Sequence, residues 1–338
     1  MADYIIYGED FEDLLISGVP FLDVRAEIEF SKGAFPTSTN IPILHDDERH
    51  IVGTCYKKNG RKAAIEMAHS LVKGTTKKQR IRAWCEFVSA NPNTHIYCWR
   101  GGMRSKYTRD WILASGINVP SIDGGFKALR NVILNQFSDA ASQLPIIRIG
   151  GKTGTAKTTL INKIQFSLDL EGHANHRGSS FGERVSGVSN QIDFENSLGI
   201  DLLRKRRAFP GRTLIVEDES RRIGSNLIPK VFFEKMRAAD IALVVMPMEF
   251  RVQCIAQEYI LQMTKEFFEA HPINGWEMFE NYLTQSLFRV RKRLGLENYK
   301  LIAKLMKDAL HQQSNHGDIS GHEAWIVAML RDYYDPMY

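Results

Sequence analysis

The chain has 338 residues, 43% hydrophobic and 25% charged, with 44 basic and 39 acidic side chains and a formal net charge of +5. That length suggests about two domains, each large enough to bury a core, and the composition excludes a disordered or fibrous chain. The cysteines at 55, 85, 98 and 254 share no disulfide or zinc spacing, no apolar run reaches the roughly 18 residues of a membrane span, and the acidic stretch MADYIIYGEDFEDLL lacks a leader pattern, so a reducing, cytoplasmic setting is expected.

In chain order, FLDV (21–24) reads as a short buried strand. RKAAIEMAHSLV (61–72) has helical spacing at Ala64, Ala68, Leu71 and Val72. THIYC (94–98) is a second buried strand. RSKYTRDWILASG (104–116) predicts a helix stopped by Gly116, and GGFKALRNVILNQF (124–137) a turn and another helix. SDAASQLP (138–145), small, polar and ending in proline, is the expected seam between a domain at 1–137 and one at 138–338. Beyond it IIRI (146–149) is a strand, GGKTGTAK (150–157) a loop and TTLINKIQFSLDL (158–170) a helix. TLIV (213–216) and IALVVM (241–246) supply two more buried strands, and from about residue 250 the pattern is helical. Alternating strands and helices predict an α/β protein with mostly parallel sheets and a C-terminal helical layer.

Two loops carry the chemistry. In YCWRGGMRS (97–105), Cys98 ends a strand and a helix starts near Arg104. Such a turn converges backbone N–H groups on one point, and Gly101 and Gly102 permit the dihedrals it needs. With Arg100 and Arg104 close by and Ser105 following, Cys98 is the candidate nucleophile and these five residues are its anion cradle. The spacing Cys98-x5-Arg104 suits a cysteine phosphatase, and the loop equally suits chalcogen transfer on sulfur.

GKTGTAKT (151–158) nearly fits the phosphate-loop pattern. Gly151, Thr153, Gly154 and Thr155 would wrap the phosphates, Lys157 would reach the terminal ones, and the Thr158 hydroxyl can hold Mg²⁺. Ala156 stands where the pattern has glycine. The strand end TLIVEDES (213–220) offers Glu217 and Asp218 beside the metal, with Glu219 next. In NHRGSSFG (175–182), Arg177, Ser179 and Ser180 can bind phosphate, and Arg221 and Arg222 are weaker candidates. The spacing leaves ATP and other diphosphates equally open.

Basic clusters at 56–62, 73–82, 203–207 and 289–293 favour a polyanionic partner over four unrelated solvated faces. Cys85 and Cys254 sit in helical, apolar contexts, nothing local activates Cys55, and His316 and His322 lack a ligand set, so no structural metal is expected.

FLDVRAEIEFSKGAFPTSTNIPI (21–43) resembles the rhodanese family in its Asp23–Arg25, Glu29–Phe30, Gly33–Pro36 and Asn40–Pro42 signatures. The likeness spans about residues 5–130, puts Cys98 at the rhodanese catalytic cysteine, and tips the loop toward chalcogen transfer. Arg25 is expected to orient the fold through ion pairs. Joined to the phosphate loop, DDERHIVGTCYKKNG (46–60), NHRGSSFG and EDESRRIGSNLIP (217–229), the whole chain resembles the bacterial tRNA 2-selenouridine synthases. The resemblance implies a rhodanese-like domain before a P-loop NTPase-like domain. It also implies replacement of sulfur in wobble 2-thiouridine by selenium from selenophosphate, through an S-geranylated intermediate made from geranyl diphosphate. Lys57, Lys58, Arg204, Arg206, Arg207 and Arg291 would then hold anticodon-arm phosphates of tRNA. A selenophosphate-supplying enzyme is an implied partner, and no membrane is. The alternative is a rhodanese-type sulfurtransferase or phosphatase joined to a nucleotide-binding domain.

Overall fold

The computed structural model describes residues 5–338. The chain forms two compact units, one running to Ser142 and including Asn190–Pro210, the other comprising Gln143–Ser189 and Gly211–Tyr338. Both are α/β, a rhodanese-like unit and a P-loop unit with a C-terminal helical layer, as the alternation of strands and helices predicts.

In the first unit β1 (Ile5–Ile6), β2 (Phe21–Asp23), β3 (Ser38–Asn40), β4 (His95–Tyr97) and β5 (Ser121–Ile122) form a parallel sheet ordered β1-β5-β4-β2-β3. The connecting helices are α1 (Phe11–Ser17), α2 (Glu27–Phe30), α3 (Asp46–Leu71), α4 (Gly74–Ala90), α5 (Met103–Leu113) and α6 (Gly125–Gln143). Buried Leu22, Val24, Ile96, Trp84 and Ile112 pack one core, and Cys98 belongs to it. Gly60 interrupts α3 at φ +79°, so the helical spacing read at 61–72 begins just after a break.

The division between Ser142 and Gln143 falls within the expected seam at 138–145. Residues 138–143 continue α6, because Phe137 and Ala140 still bury their side chains there. The helix Gln191–Ala208, assigned by sequence to the second domain, packs on the first unit. Its buried Asn196 donates from Nδ2 to the Ala34 carbonyl (2.8 Å) and accepts at Oδ1 from Arg130 (2.7 Å). Asp193 accepts from the Ala34 N–H (2.7 Å), and Gly199 leaves room for Ile133 and Phe137. Arg130 and Ala34 lie 66 and 162 residues from Asn196 in sequence, beyond any local pattern.

In the second unit β6 (Ile146–Gly150), β7 (Ser167–Leu168), β8 (Leu214–Glu217) and β11 (Asp240–Leu243) form a parallel sheet ordered β11-β6-β8-β7. Between β8 and β11, β9 (Arg222–Ile223) and β10 (Asn226–Leu227) make an antiparallel hairpin. Two expectations fail. The helix predicted over 158–170 stops at Ile161, where Ser167 Oγ donates to the Ile161 and Ile164 carbonyls and turns the chain into β7. The strand read at 241–246 as buried is an edge strand with Ile241, Leu243 and Val245 exposed. After residue 248 helices close over a core containing Phe267, Phe279, Leu283, Ile302 and Trp325.

Replacing Asn196 by leucine strands the Ala34 carbonyl and one Arg130 N–H in a dry site. Asn196→Leu is expected to cost about 3 kcal/mol in urea unfolding. A loss below about 1 kcal/mol would show that these bonds do not hold the helix.

Candidate functional site

The Cys98 loop is held by backbone against backbone. Gly101 (φ +63°) and Gly125 (φ +58°) meet so closely that a Cβ on Gly101 would lie 2.7 Å from the Gly124 nitrogen and 2.8 Å from the Ile122 oxygen. The Phe126 and Lys127 N–H groups donate to the carbonyls of Cys98 (2.9 Å) and Trp99 (3.1 Å). The loop therefore returns on itself and presents Sγ to the Gly102 N–H at 3.2 Å and the Ser105 hydroxyl at 3.3 Å. The Gly102 N–H donates to sulfur, whereas the Ser105 hydroxyl also donates to the Gly102 carbonyl at 3.0 Å. Cys98 is 3% exposed, and a cavity of about 710 Å³ reaches it past Arg100, Arg104 and Lys57.

The two loop arginines differ. Arg100 is exposed, whereas Arg104 donates to both Glu29 oxygens at 2.5 and 3.1 Å. Glu29 also takes Arg49 at 3.1 Å. Burial opposes the Glu29 charge, yet Arg104 and then Arg49 hold its carboxyl below the ordinary range. Arg104 thus shares its charge with Glu29. Arg25, as expected, is structural: it is wholly buried, pairs with Asp23 at 2.6 Å and lies 4.0 Å over the Phe126 ring.

In the second unit β6 delivers the chain to the phosphate loop. Gly151 (φ +154°) and Gly154 (φ +83°) have no room for side chains; a Cβ at either would approach a carbonyl oxygen, of Val244 or Arg251, to 2.7 Å. Thr155 Oγ1 donates to the Lys152 carbonyl at 2.9 Å, and Arg251 ties the Thr153 carbonyl at 2.8 Å. Lys157 Nζ sits 2.8 Å from the Gly151 oxygen, folded over the loop. Ala156 adopts φ +58°, ψ +37°, the left-handed conformation that makes glycine usual at this position.

The Thr158 hydroxyl lies 3.1 Å from Glu171 and 3.1 Å from Glu217. Glu217 also accepts the Glu171 N–H at 3.2 Å. Burial raises the pKa of Glu171, Glu217 and Glu219, and repulsion among them raises it further. Asp218, just beyond β8, pairs with Arg148 (2.6 Å) and lines the cavity over the phosphate loop. The acidic run that ends β8 is the signal for Glu217 and Glu219. Glu171 has no such signal. Among the described residues no three His, Cys, Asp or Glu side chains are arranged to hold a metal by themselves. Thr158 and its carboxylates fit a divalent cation whose other ligands are phosphate oxygens and water, the usual arrangement for Mg²⁺.

The cavity over this loop has a volume of about 1240 Å³. Arg177, Ser179 and Ser180 line it, and each has a protein partner: Glu266 (2.8 Å), the Tyr259 hydroxyl (3.1 Å) and the Tyr334 hydroxyl (2.8 Å). Arg222 lines it as well, whereas Arg221 reaches back to the Ile228 carbonyl. Asp335 anchors the C-terminal turn by pairing with Arg251 (2.5 Å) and Lys152 (3.0 Å). Tyr259, Tyr333, Tyr334 and Asp335 escape sequence reasoning because their partners are distant in the chain.

The proposed tRNA contacts separate. Lys57 and Lys58 are exposed on α3, and Arg291 lies over Phe288 at 3.5 Å. Arg204 donates to the Ile16 carbonyl, Arg206 to Gln136 (2.6 Å), and Arg207 pairs with Glu12 and Asp13. That basic run serves mainly to attach its own helix. Cys55, Cys85 and Cys254 are half-buried free thiols, and His322 is a core residue hydrogen-bonded to Gln313 and Trp325.

Residues 144–338 match the family model described as the tRNA 2-selenouridine synthase AAA domain. Relatives bearing the name tRNA 2-selenouridine synthase align over almost the full chain. That of Serratia proteamaculans is 43% identical across 98% of this chain and 89% of its own. Those of Pseudomonas fluorescens Pf-5 and Azotobacter vinelandii are 43% and 45% identical, each across 97% of this chain and 90% and 89% of theirs.

The left-handed Ala156 yields a stability test. A β-branched side chain there meets greater strain than alanine, so Ala156→Val is expected to lose about 2 kcal/mol in denaturant unfolding. Ala156→Gly relieves the strain and is expected to lose nothing. Equal, negligible effects of both would contradict the conformation assigned to this loop.

Proposed function

The chain belongs to the tRNA 2-selenouridine synthase family, and from that membership we propose that it exchanges the sulfur of wobble 2-thiouridine in tRNA for selenium. In our reading the exchange runs through an S-geranylated intermediate, with geranyl diphosphate and selenophosphate as donors. One observation carries the finer reading: the cavity of the second unit joins a diphosphate cradle to an aromatic wall of Tyr259, Tyr333 and Tyr334. A prenyl diphosphate has that same division into charged head and apolar tail.

In the first step the thiouridine sulfur attacks C1 of the geranyl group, the C–O bond breaks, and diphosphate leaves. The loop N–H groups and Lys157 receive the charge that develops on the leaving oxygen. Mg²⁺, held by Thr158 with Glu217 or Glu171, would neutralise the diphosphate. No nucleotide hydrolysis is required, and Ala156 suits a loop that binds rather than cleaves. In the second step the selenium of selenophosphate attacks C2 of the base, the C–S bond breaks and geranyl thiol leaves; water then cleaves the P–Se bond, releasing phosphate and leaving selenium on C2. We assign this step to the Cys98 loop, where the Gly102 N–H can donate to an anionic chalcogen. The pairing of Arg104 with Glu29 argues against a phosphatase, which needs that guanidinium for its phosphate.

The wobble base lies in a single-stranded loop, so a pocket can take it without melting a duplex. Lys57, Lys58 and Arg291 are our candidates for the flanking phosphates. No helix among the described residues is long and apolar enough to cross a membrane, and a tRNA substrate supports a cytoplasmic site of action.

The test separates the steps. Lys157→Ala is expected to slow geranylation of a 2-thiouridine anticodon stem–loop at least about 100-fold. The same variant should convert preformed S-geranyl-2-thiouridine RNA to selenouridine at the wild-type rate. Nucleoside mass spectrometry reads both; undiminished geranylation would overturn the assignment.

A further inference from the structure

Beside the Cys98 loop the first unit carries a second, strongly apolar cavity of about 680 Å³. One wall is α5, which sets Met103, Tyr107 and Trp111 four residues apart along a single face. The opposite wall is the part of α3 beyond the Gly60 break, where Ala64, Ile65 and Ala68 line the groove. The small side chains at 64 and 68 keep the groove open. Met103 to Trp111 spans about 12 Å of helix, room for an extended ten-carbon chain.

The groove is continuous with the cavity at Cys98, for both are lined by Leu44, Val52, Met103 and Gly102. Arg61 and Arg100 stand among the lining residues, with His69 and the Glu29-paired Arg104, of an otherwise apolar site. An occupant that is apolar along its length and joined to a polyanion at the thiol end matches this distribution. An apolar side chain of a partner protein would have no use for cations at that end.

We infer that this groove holds the geranyl chain of the S-geranylated uridine while selenium replaces it at the Cys98 loop. The inference rests on the proposed function and adds a specificity element to it. Seating the chain along α5 would bring the C–S bond to the Cys98 end and give the departing geranyl thiol an apolar site. Selenation would then favour geranylated over unmodified or short-alkylated RNA, because the extra carbons are removed from water only here.

Two measurements on the full chain test this. An anticodon stem–loop whose sulfur bears a geranyl-like chain with a terminal diazirine is bound and irradiated, and the adducts are mapped by peptide mass spectrometry. Adducts are expected within residues 43–72 and 103–111; adducts confined to the second unit, or none from saturated complex, would overturn the inference. In parallel, Ile65→Asp and Tyr107→Ala are assayed for selenation of S-geranyl and S-methyl 2-thiouridine RNA. Each is expected to raise KM for the geranyl substrate at least about tenfold, leaving the S-methyl rate unchanged. Retention of the wild-type preference by both folded variants would also overturn it. Should wild-type protein selenate neither RNA, the proposed function fails, while the adduct map still decides the groove.

Discussion

The contact between the backbones of Gly101 and Gly125 is the constraint on which the sulfur site depends. No side chain fits at either position, and both residues sit at positive φ. Because the two segments touch, the start of α6 supplies the N–H groups that hold the Cys98 and Trp99 carbonyls. The loop then folds back over its own cysteine and offers Gly102 and Ser105 to the sulfur. The buried Asp23–Arg25 pair supports this from below, since Arg25 lies against Phe126 and Trp99 stacks on the other part of that aromatic group. A thiol 3% exposed is thereby fixed in place by the fold.

The second site uses the same device differently. Gly151 and Gly154 bring the phosphate loop against the Val244 and Arg251 carbonyls, and Ala156 holds a left-handed conformation that glycine would take without strain. Buried carboxylates around Thr158 carry raised pKa values because burial disfavours their charge and they repel one another. A divalent cation beside Thr158, with Lys157 close by, would supply positive charge against these carboxylates and the diphosphate. Each unit thus carries one tightly turned glycine loop, and the proposed reaction asks one to release diphosphate and the other to manage sulfur and selenium.

What was legible in the sequence followed from range. Cys98 to Ser105 and Gly151 to Thr158 act through neighbours a few residues away, so spacing and residue type sufficed. Glu217, Asp218 and Glu219 follow from the acidic end of a strand, whereas Glu171, whose N–H meets Glu217 across 46 residues of chain, carries no local signal. The helix Gln191–Ala208 was given to the wrong unit because its bonds to Ala34 and Arg130 cross long stretches of chain. Arg206 and Arg207 read as free cations for the same reason, their acids and amides lying far upstream. The apolar run at 241–246 signalled a strand correctly and its burial wrongly, since strand propensity does not say whether a strand lies at a sheet edge.

The central claim is that prenylation and selenation occur at different loops of one chain. Nucleoside mass spectrometry of a 2-thiouridine anticodon stem–loop, incubated with Cys98→Ser protein, geranyl diphosphate and selenophosphate, tests it most directly. The account predicts that S-geranyl-2-thiouridine accumulates and 2-selenouridine does not form. Selenouridine at the wild-type rate, or no geranylated product at all, would contradict it.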